Sequence, residues 1–219
     1  MNRMRMLAAL AAWTAAAATA ATITASGNLV TQERPARGIH GVSVAISAQV
    51  ELVQGANEGV RITADDNVLP VLQSVVEGGV LKLRWAEDTQ IRRANIRVTV
   101  TAKSIESIAI RGSAQVRAAA VSTPRLALEI SGSGDAQVAG RADSLEVRIS
   151  GSGDVKAARL AAQRATVAIS GSGDATLWAR EALRVRVAGS GDVAYYGDPK
   201  LEKTIAGSGS VRRLGATPS

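Results

Sequence analysis

Leu145-Glu146-Val147-Arg148-Ile149-Ser150-Gly151-Ser152-Gly153-Asp154-Val155-Lys156-Ala157 sets two alternating runs on either side of a Gly-Ser-Gly-Asp corner, and this pattern recurs along the chain. The related segments are Leu126 to Val138, Ala165 to Leu177, Leu183 to Tyr195 and Leu201 to Arg213, the last with Gly-Ser-Gly-Ser. The serine between the glycines stands at Ser133, Ser152, Ser172, Ser190 and Ser208, in steps of 19, 20, 18 and 18 residues. Ser113, 20 residues upstream of Ser133, marks a degenerate sixth copy. A repeat of 18 to 20 residues fits one coil of a β-solenoid.

The flanking residues alternate with the period of a half-buried strand. Before the corner, one side holds Ile130, Ile149, Ile169, Val187 and Ile205, then Leu128, Val147, Val167 and Val185, then Leu126, Leu145, Leu183 and Leu201. Between them fall Glu129, Arg148, Arg186 and Thr204. After the corner, Ala136, Val155, Ala175, Val193 and Val211 face in, against Gln137, Lys156, Thr176 and Arg212. Such a strand buries its apolar side only by stacking on its neighbours. The prediction is an all-β, single-stranded parallel β-helix, right-handed, with coils of 18–20 residues. Six coils at about 4.8 Å each would span about 29 Å. The paired glycines suit sharp bends, where φ is positive or a side chain would clash.

The rest of the chain arranges itself around this body. Residues 1–25 read as a secretory leader, with Arg3 and Arg5 ahead of an Ala-rich uncharged stretch and small residues at the cut. Residues 26–37 form an extended lead-in, and 38–215 the β-helix domain: irregular N-terminal coils over 38–104, the repeats over 105–215, and a tail at 216–219. Within the irregular part, Val75 to Leu83 reads as a hairpin around Gly78-Gly79, and Asp65-Asp66-Asn67 with Pro70 as a turn. No integral membrane segment is expected once the leader is removed, so the product is expected in the periplasm, at the cell surface or secreted.

Composition narrows the chemistry. The 219 residues contain no Cys, one His and no Phe, which excludes disulfides, thiol chemistry and Cys-type zinc sites and leaves His40 as the only base for a Ser-His-Asp triad. The formal charge is +7; with Arg3 and Arg5 gone, 24 basic residues face 19 acidic ones, leaving +5. The basic residues are dispersed and aromatic platforms are scarce, which argues against nucleic acid as a partner. Anionic envelope polymers suit the charge better.

The residues also carry a family resemblance. Glu33-Arg34 before a strand, Val50-Glu51-Leu52-Val53-Gln54-Gly55, the Asp66-Asn67 turn, Gly79-Val80-Leu81-Lys82-Leu83 and the reiterated Ile-Ser-Gly-Ser-Gly-Asp resemble the head GIN domain family, labelled auto-transporter adhesins. The likeness runs from about residue 33 to 214 and implies an exported, non-enzymatic β-helical domain. An autotransporter also carries a C-terminal membrane barrel, whereas here Gly215-Ala216-Thr217-Pro218-Ser219 follow the last repeat, so the passenger-like body is expected to stand alone.

Two sets of residues are candidates for sites. The structural motif comprises Gly132, Ser133, Gly134 and Asp135; Gly151, Ser152, Gly153 and Asp154; Gly171, Ser172, Gly173 and Asp174; Gly189, Ser190, Gly191 and Asp192; and Gly207, Ser208 and Gly209. If its Asp residues stack in register about 5 Å apart, neighbours repel by about 0.8 kcal/mol in water and about 3 at an effective dielectric of 20. Either each carboxylate accepts amides of its own turn, or calcium sits between coils, as in β-rolls whose motif recurs every nine residues. One motif per 18 to 20 residues supplies half the ligands of such a roll, which favours the first reading. The second set is Trp178, Tyr195 and Tyr196, with Trp178 and Tyr196 expected as vertical neighbours, either contacting a partner or filling a corner of the core. No catalytic residue and no required cofactor are expected. The expected function is a non-enzymatic, adhesin-like envelope interaction module with an envelope polysaccharide or protein as partner, able to oligomerise through its open ends. Its alternatives are a calcium-dependent structural solenoid and a periplasmic polysaccharide-processing β-helix enzyme.

Overall fold

The computed structural model describes residues 21–218, so the expected leader over 1–25 lies outside the described residues except for its last few. Those form β1 (Ala21–Thr24), and the chain continues through β2 (Leu29–Arg34), β3 (Gly41–Val44), β4 (Gln49–Gln54) and β5 (Gly59–Asp65). A single 3₁₀ turn at Leu69–Val71 precedes β6 (Leu72–Glu77), β7 (Val80–Trp85), β8 (Thr89–Arg92), β9 (Arg97–Ala102) and β10 (Ser107–Gly112). The repeats follow as β11 (Gln115–Gly132), β12 (Asp135–Gly151), β13 (Val155–Gly171), β14 (Ala175–Gly189), β15 (Val193–Tyr196), β16 (Lys200–Gly207) and β17 (Val211–Gly215).

The architecture is a parallel β-solenoid of about five turns. β11 pairs with β12, β12 with β13 and β13 with β14 along almost their whole length, all parallel. Each of these coils is therefore one long strand interrupted only at the Gly-Ser-Gly-Asp corner. Its other bends are slips in the alternation. In β11 the buried positions run Val116, Ala118, then Val121, Thr123, then Leu126, Leu128, Ile130. Two three-residue steps turn the inward face without breaking the ladder. The same slips absorb the unequal coil lengths, with register shifts at Ala118/Val121, Gln137/Ala139 and Ala157/Ala161.

The core is the aliphatic stack that the alternation predicts. Leu128, Val147, Val167 and Val185 form one buried column, and Ile130, Ile149, Ile169 and Val187 the next. Full burial of such a side chain stabilises by about 1.5–3 kcal/mol, so each coil draws most of its stability from the one above and the one below. The last coil has no coil above it. Ile205, in the inward column, is accordingly 36% exposed.

The first part of the chain mixes directions. β3 sits parallel between β10 and β7, and β4 parallel between β11 and β9, which continues both faces of the solenoid. β6 then returns antiparallel on β7 across Gly78-Gly79, whose φ values of 57 and 77 suit a two-residue hairpin. The segment 26–37 carries β2, which lies antiparallel on β5. Asp66 fixes its start by accepting hydrogen bonds from Ser26 Oγ at 2.6 Å and Asn28 Nδ2 at 2.8 Å, which hold the Asp66 carboxyl below the usual range. Arg34 fixes its end: one guanidinium nitrogen donates to Leu72 O at 2.5 Å and the other to Leu69 O at 2.9 Å, so the group lies across the N-terminal end of the core.

Candidate functional site

Each repeated corner is shaped by carbonyls of the coil before it. Gly151, Gly171, Gly189 and Gly207 have φ between 128 and 132, and a Cβ on any of them would lie 2.1 to 2.4 Å from the carbonyl oxygen of the first glycine in the preceding corner. The second glycines are as constrained: a Cβ on Gly153, Gly173, Gly191 or Gly209 would meet the preceding second-glycine oxygen at 2.1 to 2.2 Å. The serine between them is exposed at every corner, Ser133, Ser152, Ser172, Ser190 and Ser208, while its amide donates to the preceding coil at 2.9 to 3.0 Å. Glycine is thus set by close approach, and serine by its place at the tip.

The Asp column is a ladder between coils. Asp135 Oδ1 accepts from Asp154 N at 3.2 Å, Asp154 Oδ1 from Asp174 N at 3.2 Å, Asp174 Oδ1 from Asp192 N at 2.8 Å and Asp192 Oδ1 from Ser210 N at 2.8 Å. The expectation that each carboxylate serves its own turn is corrected: the donor belongs to the next coil. A Cβ on Gly153 would lie 2.1 Å from Gly134 O, and the following Asp154 amide donates to the Asp135 carboxylate of the coil before it. Where the preceding residue is Gln115, the Asp135 amide bonds instead to Ala114 O at 2.9 Å. Among the described residues no group of three or more His, Asp or Glu is placed to hold a metal ion.

The three aromatic candidates separate. Tyr195 pairs in register with Leu177 and is 8% exposed, so it belongs to the core and not to a contact surface. Trp178 and Tyr196 are paired in register on the outward side and half-buried. Small residues flank them: Ala161 lies one coil below Trp178, and Gly215 faces Tyr196, with a would-be Cβ 3.8 Å from Cδ1. The turn beside them is held by Arg213, whose Nε donates to Gly197 O at 2.7 Å. The two residues are left as vertical neighbours, forming a ledge on the flank of β14 and β15.

Groups that suggested chemistry elsewhere are dispersed. His40 is exposed over Gly79 and makes no side-chain hydrogen bond to a serine or carboxylate among the described residues. Asp65 is buried, and its Oδ1 accepts from Gly27 N at 2.7 Å, while Asp66 is held by Ser26 and Asn28. Both carboxylates anchor the chain before β2. Arg34, whose closure of the N-terminal end had no signal in the repeat, lies in the stretch where the alternation is weakest.

Residues 39–199 match the family described as "Putative auto-transporter adhesin, head GIN domain". The chain belongs to the head GIN domain family. Several solved structures share its fold. A putative adhesin from Bacteroides fragilis superposes with a TM-score of 0.73 at 20% identity, over 88% of this chain and 100% of that one. A putative adhesin from Parabacteroides merdae gives 0.60 at 17% identity, over 88% and 99%. A putative lipid binding protein from Parabacteroides distasonis gives 0.53 at 24% identity, over 89% and 100%. No curated protein sequence matches the chain. Membership of this head GIN family supports an adhesin-like domain, and among the described residues no helix is long and apolar enough to cross a membrane.

Proposed function

We propose that this head GIN domain is an exported, non-enzymatic adhesin-like module that holds an envelope polysaccharide against the ledge of Trp178 and Tyr196. The observation that carries this reading is that pair. On the flank of β14 and β15, the half-buried Trp178 and Tyr196 are vertical neighbours on the outward side beside Ala161 and Gly215. Aromatic side chains combine a large apolar face with a polar edge and lose little conformational entropy on contact, which suits the C–H face of a sugar ring. A rigid ladder of backbone hydrogen bonds behind them keeps the ledge in place. The Gly-Ser-Gly-Asp corners serve as scaffold in this reading, and the positive charge left after leader removal favours an anionic envelope.

Tryptophan fluorescence tests this directly. Soluble glycans prepared from bacterial envelopes are titrated into the chain lacking residues 1–25 and into its W178A and W85F forms. The expected result is a saturable change that W85F retains and W178A abolishes. A flat titration of the unaltered domain would sink the reading.

A further inference from the structure

A second surface, on another face of the solenoid, points to the kind of polysaccharide involved. On the face formed by β11, β12, β13, β14 and β16, one outward column runs in register through Glu129, Arg148, Ala168, Arg186 and Thr204. Strands in a ladder are about 4.8 Å apart, so the two guanidinium stems are separated by about 10 Å with only a methyl group between them. The adjacent column holds Glu146, Thr166, Arg184 and Glu202. Ion pairs neutralise most of these charges. Glu146 bonds Arg125 at 3.0 Å and also engages Arg148, while Glu202 takes both Nε and an NH2 of Arg184 at 3.0 and 2.9 Å. Arg186 has no carboxylate partner among the described residues, and with Arg148 and Ala168 it lines two troughs of about 260 and 370 Å³.

We infer that this face binds an acidic polysaccharide, with a uronic-acid carboxylate seated on Arg186 and the chain running along the solenoid axis toward Arg148. Arginine presents a rigid planar fork that takes both oxygens of a carboxylate, and it sheds hydration more easily than lysine. The exposed hydroxyls of Ser150, Ser170, Thr166 and Thr204 line the same troughs and supply partners for sugar hydroxyls. A bilayer does not fit, because the outward columns here carry Arg, Glu, Ser, Thr and Ala and offer no large apolar side chain for insertion. Nucleic acid does not fit either, since the face has no ring on which to stack bases. The site is independent of the Trp178 ledge and goes beyond it, by naming the charge class of the polymer.

Calorimetric titration of the leaderless chain with polygalacturonate, dextran and sodium polyphosphate tests the assignment. Polygalacturonate is expected to bind with an affinity that falls as salt rises, and dextran to give no heat. R186Q should weaken polygalacturonate binding by about tenfold. R37Q removes the same charge from an exposed position outside this face and should leave binding unchanged. W178A should also leave it unchanged, so that loss of the fluorescence response and loss of this binding report on different surfaces. Equal weakening by R186Q and R37Q would reduce the effect to net charge and overturn the site. Tighter, equally Arg186-dependent binding of polyphosphate would overturn the carboxylate assignment, and absence of polygalacturonate binding would overturn the proposal itself.

Discussion

Replacing Gly171 by alanine should be among the most damaging single-methyl changes available to this solenoid. The residue sits at φ 128, a region almost closed to L side chains, and holding alanine there costs about 1–3 kcal/mol. The added Cβ would lie 2.3 Å from Gly151 O and 3.1 Å from Gly151 C and N, all backbone atoms that cannot swing aside. Moving that carbonyl weakens the bonds it accepts from Ser172 N at 2.9 Å and Gly173 N at 3.1 Å, at about 0.5–1.5 kcal/mol each. The total is about 2–6 kcal/mol, and at about 2–4 °C per kcal/mol for a domain of this size the midpoint should fall by about 4–24 °C. Thermal and urea unfolding followed by circular dichroism measures it, with two variants as internal references. S172A alters an exposed side chain at the same corner and should stay within about 0.5 kcal/mol of the parent. G207A has the same clash, 2.1 Å to Gly189 O, but its strand is the free edge and can move outward, so its cost should be clearly smaller than that of G171A. If G171A unfolds together with S172A, the corner is looser than its backbone contacts require and the reasoning fails.

Two further predictions concern the Asp ladder and the open end. D154A removes the acceptor of the Asp174 amide and should cost about 1–3 kcal/mol, whereas D154N keeps an oxygen at that place and should cost less than half as much; equal losses in urea unfolding would refute the inter-coil role. Lys203 stands in the inward column of Val147, Val167 and Val185 on the unpaired edge of β16, where a charge discourages strand addition. K203V should therefore associate more strongly than the parent in light scattering across a concentration series, and identical masses at every concentration would refute this.

The coil period, the inward columns and the paired glycines were all legible in the sequence, because a stacked parallel ladder repeats one local problem every 18 to 20 residues and so imposes one local solution. The hairpin at Gly78-Gly79 was legible for a similar reason: two adjacent residues with positive φ are a local requirement. What the repeat could not specify is how one coil addresses the next. The Asp carboxylates serve the amide of the following coil, a contact that exists only once two corners are superposed.

The structure also separated Tyr195 from Tyr196 and Trp178, the two that the sequence already set apart as vertical neighbours. Neighbouring residues on a strand point to opposite faces, so Tyr195 followed Leu177 into the core and Tyr196 followed Trp178 out of it. Arg186 acquired its meaning in the same way. In the chain it is one basic residue among many, dispersed between apolar neighbours. In the solenoid it shares a column with Arg148, while nearby glutamates are taken up by Arg125, Arg148 and Arg184. Alternation along a strand determines which side chains reach the surface, but the lateral stacking of coils decides which of them meet, and only the second relation makes a surface.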